Sequence, residues 1–267
     1  ELAKPYQLTS DQISFFKKNG FIKLKKVFSP GAVLKLRAEL INLLKKEFKV
    51  DPDKEAYDRF LSLEMIWPDN ALLRAYVLSP RLGQISANLL EVSAVRLYHD
   101  NVLAKQTGCG RTPWHFDDHH FPLDTNDVVT AWVPAQPTPL EMGPLSFAYP
   151  LNVHKLVNAV TFEKTGTGYD RGISDIFSKN NVSVNETPFE LGEVSFHHNL
   201  NFHTASSNRT NRSRIALANT YYRDGARVVN SPTMVSGDWQ KFMPNVKPGD
   251  VAASPLNPIC WPVKDKS

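Results

Sequence analysis

Trp114-His115-Phe116-Asp117 sets an imidazole two residues from a carboxylate. On a strand, residues i and i+2 share a face, so both side chains could reach one metal ion while Phe116 turns into the wall. With one further histidine, these donors make the facial triad of non-haem Fe(II) oxygenases, which leaves positions open for a chelating cosubstrate and O2. The His-x-Asp spacing alone is common. Asp118, His119 and His120 follow at once, and such a run also suits zinc, which takes four tetrahedral ligands or three with one position open.

The stretch from Gly192 to Arg214 supplies what the first motif lacks. His197, His198 and His203 compete for the third ligand position. A histidine followed about ten residues later by an arginine fits adjacent antiparallel strands. That spacing would bring the Arg214 guanidinium within a side chain's length of the metal. Arginine forks onto carboxylates, and a cosubstrate such as 2-oxoglutarate needs a chelating end at the metal and a partner for its distal carboxylate.

The elements that must position these residues fall into two parts. Thr9 and Gln12 form a capping box, Leu8 and Ile13 the staple beside it, and Gly20 ends the helix. Phe21 to Val27 reads as a short strand. Ser29-Pro30 starts a second helix with Val33, Leu36, Leu40, Leu43 and Leu44 at helical spacing, and Ser79-Pro80 starts another that runs to about Leu90. From near Val92 the apolar runs are short and rich in β-branched and aromatic residues: Ala94–Val102, Val128–Val133, Leu145–Tyr149, Val194–His197 and Ile215–Tyr222. Gly, Pro and Asn clusters separate them, as in a sandwich or barrel. Asn152 to Glu190 is long, polar and weakly periodic, the profile of a functional lid or a disordered loop. Lys164, Tyr169 and Arg171 in it are read as pocket contacts or solvated surface. The expected organisation is one oxygenase domain over 1–267, with a helical buttress to about 91, a core over about 92–225 and an extension over about 226–267.

The chain resembles the phytanoyl-CoA dioxygenase family of Fe(II)/2-oxoglutarate oxygenases. The resemblance rests on Leu8 to Ile13 with Asn19-Gly20-Phe21, on Tyr98 to Asn101 leading to Lys105, and on Thr112 to Asp117. It continues through Thr130 to Pro134, Gly143 to Ser146, and His203, Asn208 and Arg214. It implies a mainly β fold with flanking helices, a double-stranded β-helix (jelly roll, cupin-like) buttressed by the N-terminal helices. It implies Fe(2+) held by His115, Asp117 and His203, with 2-oxoglutarate anchored by Arg214. Trp132 would line the cosubstrate pocket, and Thr112 and Lys105 occupy approach positions. His197 and His198 are then strand-end residues. His119, His120, Trp114 and Phe121 are substrate-side candidates. The implied reaction consumes O2, releases succinate and CO2, and oxidises a substrate C–H bond. Hydroxylation, desaturation, cyclisation and epimerisation are all within reach of it, as in secondary metabolism. Related halogenases lack the carboxylate, so Asp117 argues against halogenation. The sequence departs from the family at Ala205, where a small hydroxyl is usual, and in Tyr149 to His154.

Composition bounds the alternatives. A hydrophobic fraction of 42% and a charged fraction of 22% suit a globular protein. No apolar run approaches the roughly 18 residues of a membrane span. Two cysteines make a disulfide framework a poor fit and favour a reducing, cytoplasmic compartment. The net charge of +4 comes with lysines clustered in the first helices. They do not interleave with aromatic residues, so they read as solvated helix faces rather than a nucleic-acid or membrane surface. A small secondary metabolite or amino-acid derivative is the expected substrate. A zinc hydrolase and a non-catalytic jelly-roll binding protein are the rival readings.

Overall fold

A computed structural model describes residues 1–54, 58–157, 168–233 and 238–262. The first elements follow their end signals. Helix α1 (Ser10–Asn19) opens on the Thr9–Gln12 capping box and closes at Gly20, whose φ of 76° is the left-handed conformation glycine adopts cheaply. Strand β1 (Phe21–Leu24) is shorter than its apolar run. Helix α2 (Pro30–Phe48) is capped by the Ser29 hydroxyl and buries Val33, Leu36, Leu40 and Leu44, while Leu43 is only half-buried. Strand β2 (Phe60–Glu64), helix α3 (Ala71–Val77) and helix α4 (Pro80–Leu90) follow.

The β half comprises β3 (Val95–Lys105), β4 (Thr112–His115), β5 (Val128–Pro134) and β6 (Leu145–Tyr149). The polar insert holds the short helix α5 (His154–Val157), helix α6 (Gly168–Lys179) and strand β7 (Ser183–Asn185). It is not a loop throughout, and Lys164 lies outside the described residues. Strands β8 (Val194–His198), β9 (His203–Ala205), β10 (Arg214–Arg223) and β11 (Ile259–Trp261) complete the order.

Two antiparallel sheets result. The larger runs β1-β8-β5-β10-β3-β11, with β2 also paired to β3; the smaller runs β4-β9-β6-β7. This is the expected mainly β class with flanking helices, a jelly roll. Alternation sorts the larger sheet's faces. Val129, Ala131 and Val133 of β5, with Ile215, Leu217 and Tyr221 of β10, join the helices in one apolar cluster. Thr130, Trp132, Ala218 and Thr220 look the other way, into a cavity bounded by the smaller sheet. A register shift opposite Thr220 and Tyr221 puts an extra residue on β3 and re-aims His99 into that cavity. No described helix is long and apolar enough to cross a membrane.

The helical layer therefore supports the sheet that carries the cavity wall. Leu40 has no exposed surface in that layer. Leu40→Ala is expected to lower the unfolding free energy by about 2–5 kcal/mol, measured by urea denaturation.

Candidate active site

His115 ends β4, His203 begins β9, and the two are cross-strand partners in the smaller sheet. Their ring centroids lie 4.3 Å apart. Nδ1 of His115 is 2.8 Å from the Pro113 carbonyl, and Nδ1 of His203 is 2.9 Å from the Asn201 carbonyl. A carbonyl only accepts, so each Nδ1 carries the proton and each Nε2 presents a lone pair. Asp117 Oδ1 lies 3.6 Å from His115 Nε2 and 3.8 Å from His203 Nε2. One ligand atom from each of His115, Asp117 and His203 lies within 4.8 Å of the others, a span that a single ion can bridge.

Asp117 reaches this point by a different route from the one its spacing suggests. Strand β4 stops at His115, and Asp117 has helical backbone angles (φ −89°, ψ −9°) at the head of a 3-10 turn. The carboxylate is delivered by a turn, not by strand alternation. That turn is clamped from β8's exit: the backbone N–H groups of Asp117 and Asp118 both donate to the Asn199 carbonyl, at 2.8 and 3.1 Å. The Asn199 amide also donates to Asp118 Oδ1 at 2.9 Å.

The protonation states suit metal binding. Burial, then the neighbouring His115, pushes His203 well below the ordinary histidine range, so its imidazole is neutral. Burial works against ionisation of Asp117. Interaction with His203, a hydrogen bond from His197 and the nearness of His115 outweigh it, holding the carboxyl well below the usual range.

Arg214 begins β10 and is 2% exposed. It donates to the Gly143 carbonyl at 2.7 Å, and its Cζ lies 5.2 Å from the Trp132 ring centroid. Its Nε and the Trp132 Nε1 are both buried without a partner. Burial pushes the guanidinium pKa down to about 10. Both side chains line the same cavity of about 350 Å³ as His115, Asp117 and His203. The route from His203 to Arg214 also differs from the expected hairpin. Strand β9 pairs with β4 and β6, while β10 pairs with β3 and β5, so the chain crosses between sheets.

The remaining candidates separate. Thr112, His120 and Phe121 line the cavity. Lys105 does not; its ammonium donates to the Ala205 and Ser206 carbonyls at 3.3 and 2.8 Å, and burial beside Arg214 pushes its pKa down to about 7. Trp114 faces away, stacked on Phe202 with centroids 5.4 Å apart, and its carbonyl accepts from the Tyr169 hydroxyl at 2.7 Å. His119 is exposed and packs on Phe116. Arg171 is exposed too, and neither it nor Tyr169 lines the cavity. At Ala205 the wall has no hydroxyl, and Thr204 donates to the Thr112 carbonyl instead.

The sequence points to Trp132 and Arg214 on the larger sheet but not to that sheet's polar row. Thr130 pairs with His197 on one side and Thr220 on the other, and Thr220 pairs with His99. This gives a polar row across four strands, all of it on the cavity. The signal was period-two alternation: Val194 and Phe196 face the apolar cluster, so Ser195 and His197 face the other way. His197, at the end of β8 as expected, is thus also a wall residue. Burial pushes the pKa of His99 down to about 4, which leaves it neutral.

Residues 16–216 match the family model described as phytanoyl-CoA dioxygenase. No curated protein matches the chain in sequence. Solved structures do match in fold. The non-haem α-ketoglutarate-dependent carbocyclase SnoK from nogalamycin biosynthesis superposes with a TM-score of 0.76 at 23% identity, covering 96% of this chain and 99% of that one. The epimerase SnoN from the same biosynthesis gives 0.73 at 18% identity, with 94% and 97% covered. EctD from S. alaskensis, with 2-oxoglutarate and 5-hydroxyectoine, gives 0.72 at 16% identity, with 96% and 93% covered. The chain belongs to the phytanoyl-CoA dioxygenase family, and with it to the non-haem dioxygenases that depend on Fe(II) and 2-oxoglutarate and consume O2.

Proposed function

We propose that the cavity between the sheets is the active site, that His115, Asp117 and His203 hold Fe(II) there, and that Arg214 anchors 2-oxoglutarate. The observation that carries this reading is the buried Arg214 with an unpaired Nε, opening onto the same cavity as the imidazoles of His115 and His203 and an ionised carboxylate. An unsatisfied buried donor costs free energy, and the distal carboxylate of 2-oxoglutarate would relieve it. When bound, iron and 2-oxoglutarate supply the oxidising power, O2 being reduced as 2-oxoglutarate becomes succinate and CO2 and a substrate C–H bond is broken.

The chain's own residues supply the rest. The Pro113 and Asn201 carbonyls fix the tautomers that aim the Nε2 lone pairs. Trp132 packs under the Arg214 guanidinium, and Leu103, Leu145 and Ala205 add apolar lining that would help exclude water beside it. Dryness strengthens the pairing of Arg214 with an anion. Thr112 lines the same end.

The far end is read as the substrate subsite. Glu64, His99, Asn101 and His120 offer polar atoms there, beside Phe121 and Phe242. Arg214 is the only lysine or arginine on the wall among the described residues, and Glu64 is paired with Lys241 at 2.6 Å. Among the described residues, no lysine or arginine on that part of the wall is placed to neutralise the phosphates of an acyl-CoA. A volume of about 350 Å³, shared with the cosubstrate, also suits a small molecule. We therefore read the substrate as a small organic molecule, uncharged or cationic. Its oxidation is hydroxylation, or the desaturation, cyclisation or epimerisation of secondary metabolism. The carbocyclase and epimerase among the structural neighbours support that range.

Two experiments test the reading. Substrate-independent succinate formation should require Fe(II), 2-oxoglutarate and O2, and should fall to background in Asp117→Ala and His203→Ala. Undiminished turnover in either variant, or turnover with Zn(II) and no 2-oxoglutarate, would overturn it. The second concerns the anchor. Gly143 has φ +72°, and an added Cβ would lie 2.2 Å from the Ser206 carbonyl oxygen. Gly143→Ala must therefore displace the carbonyl that holds Arg214. The KM for 2-oxoglutarate is expected to rise about tenfold in Gly143→Ala and about 100-fold in Arg214→Ala, read by succinate release.

A further inference from the structure

We propose that His197 is a positioning residue for the iron site, donating its Nε2–H to Oδ2 of Asp117 and so reserving Oδ1 for the metal. The inference rests on the ligand assignment above. The two oxygens of Asp117 already have separate environments. Oδ1 is the oxygen that faces His115 and His203, at 3.6 and 3.8 Å. Oδ2 lies 3.3 Å from His197 Nε2. An ionised carboxylate can only accept, so the contact fixes the proton on Nε2 of His197. Its Nδ1 is buried without a partner, which suits the bare lone pair of that tautomer better than an N–H.

His197 cannot easily leave this position. It is 3% exposed and is paired across the sheet with Phe21 and Thr130. Its ring lies 4.5 Å from that of His203 and 5.8 Å from that of Phe147, centroid to centroid. Asn199, two residues on, holds the backbone of the same aspartate. One segment, β8 and its exit, therefore fixes the main chain and the side chain of Asp117 together. A carboxylate delivered by a turn rather than a strand needs such a bracket. A free carboxylate can rotate, exchange its oxygens or bind through both, and each of these alters the positions left for cosubstrate and O2. His197 is not itself a ligand: among the described residues, the mutually close donor atoms belong to His115, Asp117 and His203 alone.

The test uses anaerobic Fe(II) titration of the wild type, His197→Phe and His197→Gln. Readouts are the Fe(II) Kd by equilibrium dialysis, the absorption band of the Fe(II)–2-oxoglutarate complex, and the melting temperature of the metal-free protein. Phenylalanine keeps an aromatic ring beside Phe21 and Phe147 but cannot donate; glutamine keeps an N–H. His197→Phe should weaken Fe(II) binding about 10- to 100-fold and shift the absorption band, with the metal-free melting temperature at or above that of the wild type. His197→Gln should recover most of the affinity. The inference is overturned if His197→Phe binds Fe(II) as the wild type does, if His197→Gln is as weak as His197→Phe, or if the affinity loss tracks a fall in metal-free stability. A wild type that binds no Fe(II) would instead sink the ligand assignment, so the two failures are distinguishable.

Discussion

The site hangs on one pairing, His115 opposite His203 in the smaller sheet. That register brings two imidazoles side by side, tilted at 52° with centroids 4.3 Å apart, and the turn after β4 sets the Asp117 carboxylate against both. A slip of one residue would send one imidazole to the other face of the sheet. The register is guarded on both sides. Ala205 pairs with Thr112 and with Leu145, and the Thr204 hydroxyl ties β9 to the Thr112 carbonyl. The larger sheet adds the opposing wall, and its own rigidity comes from the helices packed behind it. The site is a seam between two sheets, each held by its own contacts.

Electrostatics divide the cavity into ends. At one end, Arg214 and Lys105 are cross-strand partners, both buried. Two adjacent buried cations would repel strongly. Lys105 is accommodated by two carbonyls, and burial with the neighbouring guanidinium pushes its pKa down to about 7, so near neutrality part of its charge is shed. Arg214 keeps its charge and its unpaired Nε. A protein built only for stability would fill these positions with apolar side chains. The His115, Asp117 and His203 cluster shows the complementary device, a carboxylate kept ionised among imidazoles, one of them driven to neutrality by burial.

Much of this was legible in the sequence because the signals were local. Thr9, Ser29 and Ser79 mark helix starts by hydrogen bonds within three residues. Motif spacing singles out His115, Asp117 and Arg214 and leaves His197, His198 and His203 as candidates for the third donor, among which the family resemblance favours His203. The physical reasons attached to that spacing were wrong in two places. Asp117 sits on a turn and not on the strand with His115, and β9 and β10 lie in different sheets. Spacing fixes how far apart side chains can be, not which sheet carries them. Trp114 and His119 look like site residues beside the motif, yet Trp114 closes an aromatic cluster against α6 and His119 is exposed. Lys105 follows a strand that leads into the site, but its ammonium is taken by backbone carbonyls. Strand β2 and the extra residue on β3 have no local marker, so Glu64 and the aim of His99 could come only from tertiary pairing.

The polar row across the larger sheet connects these observations. His197, Thr130, Thr220 and His99 stand side by side on four strands. At one end His197 is spent on Asp117. In the middle the two threonine hydroxyls bond each other at 2.9 Å, which uses one of their two O–H donors and leaves the other. At the other end His99 is held neutral, with Nδ1 buried and unpartnered and its ring 4.7 Å from that of Phe242. The row therefore passes from a group engaged with Asp117, through a half-satisfied hydroxyl pair, to one with an unpartnered ring nitrogen. Around it the wall is mostly apolar. A molecule on the Phe242 side would meet His99, Asn101, His120 and the Glu64–Lys241 pair against aromatic surface, so a few fixed polar groups and the shape of the wall together would orient it.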